Sequence, residues 1–303
     1  MSPQPSTSLD EVLRASTDVL MQAGVSSPRH DAEALASYAL GAERSAVRTW
    51  LALGVSIAAE QVSQIQALVE RRASREPLQH ITGSTGFARI DLLVGPGVFV
   101  PRPESELLVE RALVEVQSIV ATGQVPVVVD LCSGSGAIGL AVAHECSTAQ
   151  LHSVELDDDA FLWLQRNVEA LNLGARVQAY HADATAALPD LTGRIDVVVC
   201  NPPYVPLDAT IRDPEAARFD PPMALWGGID GLDVIRGIEA NAARLLKPGG
   251  LLVMEHADVQ GEALPLLLMS RYQDNQRVWT DVMDQRDLAD RPRFTVARRA
   301  GAA

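Results

Sequence analysis

Cysteine is scarce in this chain: Cys132, Cys146 and Cys200 are the three in 303 residues. An odd, widely spaced set fits reduced thiols of a cytoplasmic protein better than a disulfide framework or a zinc site. Aromatic residues make up 4%, which leaves aliphatic packing to build the core. No apolar run reaches the roughly 18–20 residues of a membrane-spanning helix, so no membrane association is expected. The opening Met-Ser-Pro-Gln-Pro-Ser-Thr-Ser has neither the basic nor the apolar segment of a secretory leader. Positive charge is also short: 25 Lys and Arg stand against 39 Asp and Glu, net −14. Duplex binding needs a basic face, and the clusters Arg71-Arg72 and Arg298-Arg299 are short. Direct nucleic-acid binding is therefore disfavoured, while a protein partner with a basic loop is permitted. No cluster has metal-ligand spacing, and no metal is expected.

What is present divides in two. Residues 1–74 read as an all-α domain. Ser8-Leu-Asp-Glu11 is a capping-box pattern before a periodic apolar run that Gly24 closes. Ser27-Pro28 opens a second helix running to Gly41, and Ala58–Arg72 gives a third through Val62, Ile65, Leu68 and Val69. Residues 75–100 look extended, broken by Gly83, Gly86, Gly95 and Gly97, and predict a hairpin linker over 75–102. From 103 to 303 a helix over Ser105–Val120 is followed by alternating strands and helices, which argues for a doubly wound α/β sheet. Seven strands are expected near 126–131, 150–155, 176–181, 195–200, 250–255, 276–281 and 294–298. The last two lack a crossover helix and suit an antiparallel end pair.

Two motifs carry chemistry. The first follows the apolar strand Ile195–Cys200 and reads Asn201-Pro202-Pro203-Tyr204. Two prolines stiffen the backbone and donate no hydrogen bond. They hold the Asn201 amide at a strand end beside an aromatic ring. The Asn201 oxygen and a backbone carbonyl can accept both N–H bonds of a planar, non-basic nitrogen, with Tyr204 over one face. A rigid turn is the plainer alternative. The second motif follows the strand Val125–Leu131, where Cys132-Ser133-Gly134-Ser135-Gly136 leads through Gly139 into a helix. Such a loop lets a ligand approach the backbone and offers helix N–H groups. Asp130 precedes it, placed to hold the loop or a cationic amino-acid tail. Glu155, after the next strand, can accept two ribose hydroxyls. Gly134-x-Gly136-x-x-Gly139 also fits a dinucleotide fingerprint, so a nicotinamide enzyme stays open at this point.

The tetrapeptide resembles the active-site motif of amino-group methyltransferases that use S-adenosylmethionine. From about residue 8 to 298 the chain resembles the bacterial peptide chain release factor glutamine methyltransferases, the PrmC or HemK family. Arg75-Glu-Pro-Leu-Gln-His-Ile-Thr-Gly83, Phe99-Val-Pro-Arg-Pro-Glu-Ser-Glu-Leu107, Ala224-Leu-Trp-Gly-Gly-Ile-Asp-Gly-Leu232 and Leu246-Lys-Pro-Gly-Gly250 carry the likeness with the two motifs. Cys132 stands where the family usually has glycine, and Ser105 where it usually has threonine. Ala184 stands where an aromatic residue commonly follows the acid at Asp183.

The resemblance implies a class I S-adenosylmethionine methyltransferase domain behind a small helical domain that recognises the substrate. It implies methyl transfer to the side-chain nitrogen of the glutamine in the Gly-Gly-Gln loop of class I release factors. A ribosomal-protein glutamine or a nucleic-acid amino group is the alternative acceptor. Asn201, Pro202, Pro203 and Tyr204 would form the reaction centre. Asp130, Cys132, Ser133, Gly134, Ser135, Gly136, Glu155, Asp183, Ala184 and Asn201 would hold the cofactor. Phe99 and Arg102 would shape the glutamine pocket, although Arg102 could equally pair with Glu104 or Glu106. A monomer is expected. No histidine is assigned to catalysis, since a sulfonium methyl is already activated and needs no strong general base.

Overall fold

The computed structural model describes residues 6–211 and 213–301; residues 1–5, part of the stretch without a leader pattern, lie outside it. Two compact units form, one from the chain up to Ser84 with Ile211–Phe219, the other from Thr85–Thr210 with the chain from Asp220 onward.

In the first unit, the helix Leu9–Gln22 buries Leu9, Leu13 and Leu20, one stripe at helical spacing. They pack with Leu35 and Ala36 of Pro28–Leu40, Val47 of Arg44–Ala52 and Ile65 of Ala59–Ala73. The helix Arg44–Ala52 escapes the sequence reading because it is short and fully buries one residue, Val47. The capping box expected at Ser8 does not form: its side chain makes no cap bond. Ser6–Ser8 instead pairs as a short antiparallel strand with Ser56–Ala58, and the Leu9 N–H donates to the Val55 carbonyl at 3.0 Å. Arg72 is 4% exposed. Its guanidinium reaches Asp31 at 2.8 Å and Glu215 at 2.7 Å, the pairing a buried charge requires. Glu215 brings the segment Ile211–Phe219 into this unit.

Extended chain is expected over 75–100, but Leu78–Thr82 is a helix; Pro77 precedes it and Gly83, at φ 78°, ends it. The hairpin follows as Ser84–Phe87 and Ile90–Leu93, turning on Ala88 and Arg89, both left-handed.

The second unit holds a seven-stranded sheet. Its strands are β1 (Val127–Leu131), β2 (Gln150–Glu155), β3 (Val177–His181), β4 (Ile195–Cys200), β5 (Leu246–Glu255), β6 (Trp279–Arg286) and β7 (Pro292–Arg299). Their order is β6-β7-β5-β4-β1-β2-β3, parallel from β3 to β5, with β7 antiparallel to both β5 and β6. Valine runs in β1 and β4 suit strands buried on both faces. Strand order reverses at β1, so the β1 and β4 carboxyl ends open the crevice where such sheets bind ligands. The strand expected at 276–281 begins later, at Trp279, because Gln276–Arg277 pairs back on Tyr272–Gln273 across the left-handed pair Asp274 and Asn275. One alternation fails: β3 reaches β4 through turns and the short 3-10 helix Pro189–Leu191, with no α-helix between.

Candidate functional site

Asp130 and Glu155, at or next to neighbouring strand ends, hold the β1 loop in shape. Asp130 is 1% exposed; its Oδ2 accepts the Gly139 N–H at 3.0 Å, while Oδ1 is buried without a hydrogen-bond partner. Burial, chiefly, and the charge of Glu155 push its carboxyl up to about 7. Glu155 Oε2 accepts from Gly134 N at 2.7 Å, and Oε1 accepts from Leu156 N and Asp157 N. Burial raises this carboxyl too. The Ser133 N–H donates to the Val154 carbonyl, and Asn167 ties Ser135 in place, donating to its carbonyl at 2.9 Å. Asn167, fully buried on the helix Asp158–Ala170, was not identifiable from its sequence surroundings; a lone Asn on a helix carries no signal.

Cys132 sits at φ 61°, in the left-handed region that favours glycine. Burial, chiefly, and the neighbouring Cys132 push the buried Cys200 thiol well above its ordinary value. Non-glycine residues there carry about 1–2 kcal/mol of strain. Cys132→Gly should relieve it while adding about 1 kcal/mol of unfolded-chain freedom, leaving stability within about 1 kcal/mol. Cys132→Val, β-branched, should lose about 2 kcal/mol. Denaturant titration of the two variants checks this; equal stability would contradict the strain assignment.

Asn201 follows β4 directly, and the parallel register Leu131↔Cys200 sets it beside the β1 loop. Asn201 Nδ2 donates to Ser105 Oγ at 3.4 Å. Ser105 Oγ in turn donates to Glu255 Oε2 at 2.6 Å, and the Tyr204 hydroxyl donates to Glu255 Oε1 at 3.2 Å. Glu255 ends β5 and is 2% exposed; burial pushes its carboxyl up to about 7, against the opposing pull of Ser105 and Arg293. Burial and Glu255 push the Tyr204 phenol upward as well, so it stays a neutral donor. Pro202 is buried. Gln260 Nε2 donates to the Tyr204 carbonyl at 3.1 Å and to the Asp230 carbonyl at 3.3 Å, clamping the turn from behind.

Residues 11–83 match the family model described as PrmC N-terminal domain, and 96–213 match Methyltransferase small domain. A release factor glutamine methyltransferase of Streptomyces coelicolor is 47% identical over 293 residues, covering 96% of this chain and 98% of that protein. The chain belongs to the release factor glutamine methyltransferase family. Another member, from Mycolicibacterium smegmatis, is 41% identical, covering 97% of this chain and 98% of its own. The catalytic domain of hMettl16, solved in complex with an RNA hairpin, is 13% identical with a TM-score of 0.52. It covers 82% of this chain and 86% of that one, a likeness of fold alone. The doubly wound sheet expected from the alternating strands and the methyltransferase domain implied by the family resemblance are thus both present.

The remaining residues singled out by the family resemblance are spread more widely. Arg102 pairs with Asp220, at 2.8 Å, and stacks over the Phe99 ring at 5.0 Å. Three residues on, Ser105 makes the contact to Asn201. Asp183 Oδ1 accepts from the Thr185 backbone and hydroxyl at 2.8 and 2.7 Å, which makes it a loop cap. It also lines a cavity of about 560 Å³ with His152, Tyr180 and Leu191, on the flank left open without a β3–β4 helix. Ala184 turns into the core at 6% exposure, and its carbonyl accepts from Asn241. His256 is held between the Ala257 carbonyl and Asp284, and His181 stacks on Phe161. Among the described residues no group of metal-ligating side chains occurs, and no helix is long and apolar enough to cross a membrane.

Proposed function

We propose that this chain methylates the side-chain nitrogen of the glutamine in the Gly-Gly-Gln loop of class I release factors. The carrying observation is the β1–β4 register, which sets Asn201-Pro202-Pro203-Tyr204 beside the loop Cys132–Gly136. The family and the methyltransferase domain make S-adenosylmethionine the donor, a sulfonium whose methyl is already activated. The residues present fit it. A Cβ built on Gly134 meets no atom within 4 Å, so the loop borders open space. Asp130 Oδ1 lacks a partner and suits a cationic amino group. Ser133–Gly136, Glu155 and Asp183 would complete that side.

At the acceptor side, Asn201 Oδ1 and the Pro202 carbonyl accept the two N–H bonds of the substrate amide. Its lone pair is delocalised, and pinning both hydrogens orients the nitrogen and raises its electron density. Orientation of this kind can supply up to about 7–11 kcal/mol in the best intramolecular cases. Tyr204 covers the amide face, its hydroxyl held by Glu255. The N–H acidifies once the methyl has transferred, and water takes the proton. The net charge of −14 supports a protein acceptor over a nucleic acid. Incubating intact release factor, ribosomal protein and RNA side by side with labelled donor tests the acceptor; label confined to ribosomal protein or RNA overturns the proposal.

Asp130 makes donor binding depend on pH. With the free carboxyl near 7, a bound cation pulls its pKa down, so binding releases a proton and tightens as pH rises. Affinity should gain about tenfold from pH 6 to 8, and Asp130→Asn should flatten the profile. Calorimetry at both pH values checks this, and a flat parent profile would remove Asp130 from the site.

A further inference from the structure

We propose that Ser105 and Glu255 are positioning residues that fix which way round the Asn201 amide points. The inference rests on the glutamine-amide reading of the site. A serine hydroxyl has one hydrogen. Ser105 gives it to Glu255 Oε2 at 2.6 Å, the short distance of a bond to a carboxylate. What Ser105 presents to Asn201 is therefore a lone pair, and only the NH2 end of the amide can meet it, as it does at 3.4 Å. The Asn201 oxygen is left facing away, free to accept from the substrate. Were the hydroxyl free to rotate, it could donate to that oxygen and turn the amide donor toward a substrate that also donates. Glu255 holds the second anchor of the site as well, through the Tyr204 hydroxyl. One buried carboxylate thus sets the polarity of both side chains.

The groups around Glu255 make this dependent on protonation. Ser105 and Glu104 face it from the 3-10 turn Pro103–Ser105, Cys200 from the end of β4, Tyr204 from the turn after it, and Arg293 from β7. With its carboxyl near 7, Glu255 accepts both hydroxyls above that pH. Below it, a protonated Glu255 can itself donate to Ser105, whose hydrogen then turns to Asn201. Turnover should fall as pH drops through about 7.

Ser105→Thr keeps the hydroxyl and should turn over within about twofold of the parent. Ser105→Ala and Glu255→Gln should each lower kcat about tenfold or more, the worth of one hydrogen bond at a reacting group, with KM for release factor little changed. The double variant should be no slower than the worse single one, because both act on one amide. Glu255→Gln should also lose the acid limb of the pH profile. A second readout needs no substrate. In ¹⁵N-asparagine-labelled protein, the Asn201 side-chain NH2 signals, assigned by their loss in Asn201→Ala, should shift as pH crosses about 7 in the parent but not in Glu255→Gln. Ser105→Ala at the parent kcat, or amide signals that ignore both pH and Glu255→Gln, would overturn the proposal. If Ser105→Ala does not fold, Glu255→Gln and the spectra decide. A parent that leaves release factor unmodified would instead sink the substrate assignment, which the amide spectra do not depend on.

Discussion

Asn201→Ala should slow single-turnover methyl transfer about 10²–10³-fold. The substitution removes Oδ1, one of two acceptors proposed to pin the substrate amide, so the nitrogen can rotate away from the methyl group. By analogy with a deleted oxyanion-hole donor, a placed hydrogen bond at the reacting centre is worth roughly 2.7–4 kcal/mol. Other effects should be small. Donor affinity should change little, because Asp130, the loop Cys132–Gly136 and Glu155 lie on neighbouring strand ends. Folding should lose about 1 kcal/mol or less, since Asn201 is half-buried and its bond to Ser105 is long, at 3.4 Å. Rapid-quench transfer with donor calorimetry separates these terms. A variant within about threefold of the parent rate would remove the amide clamp from the mechanism.

Gly231→Ala should damage both folding and activity, although residue 231 touches no substrate. Gly231 lies at φ 75°, and a Cβ there would overlap the Tyr204 carbonyl oxygen and stand 2.6 Å from Gln260 Nε2. That nitrogen is the donor that holds the Tyr204 carbonyl. Relief therefore has to come from the backbone of the turn carrying Tyr204 or from the Gln260 clamp. Left-handed strain and overpacking together should cost about 2–4 kcal/mol. A shift of 1 Å at the reaction centre can itself cost about 10² in rate. Gly249→Ala is the control: φ is 81°, but nothing lies within 4 Å of its Cβ, so it should lose about 1 kcal/mol and keep full activity. Denaturant unfolding and single-turnover rates of the pair decide it. Equal behaviour would mean that the Gly231 contact does not shape the turn.

This contact gives a physical reason for the segment Ala224–Leu232, which the sequence shows only as a likeness. Local features read well from sequence: the valine strands, the glycine loop before a helix, the two prolines after β4. Each is a pattern of neighbours along the chain. What stayed hidden depends on side chains far apart in sequence. Ser105 and Glu255 are 150 positions apart and meet only because the turn before Glu106–Ala121 packs at the end of β5. Asn167 and Gln260 look like ordinary polar residues until their amides are seen holding backbone groups of the two loops. The short N-terminal ladder overrode a capping box that Ser8-Leu-Asp-Glu11 spells out locally, because strand pairing used the backbone differently. Asp183 is expected from the resemblance to hold the cofactor, yet one of its two carboxylate oxygens already accepts from Thr185.

The most direct test of the central claim is tandem mass spectrometry of a purified class I release factor after incubation with this protein and S-adenosylmethionine. The expected result is a gain of one methyl group, localised to the side chain of the glutamine in the Gly-Gly-Gln loop, and its absence when Asn201→Ala replaces the parent under the same conditions. An unmodified glutamine, or a methyl group found on another residue, would contradict the account.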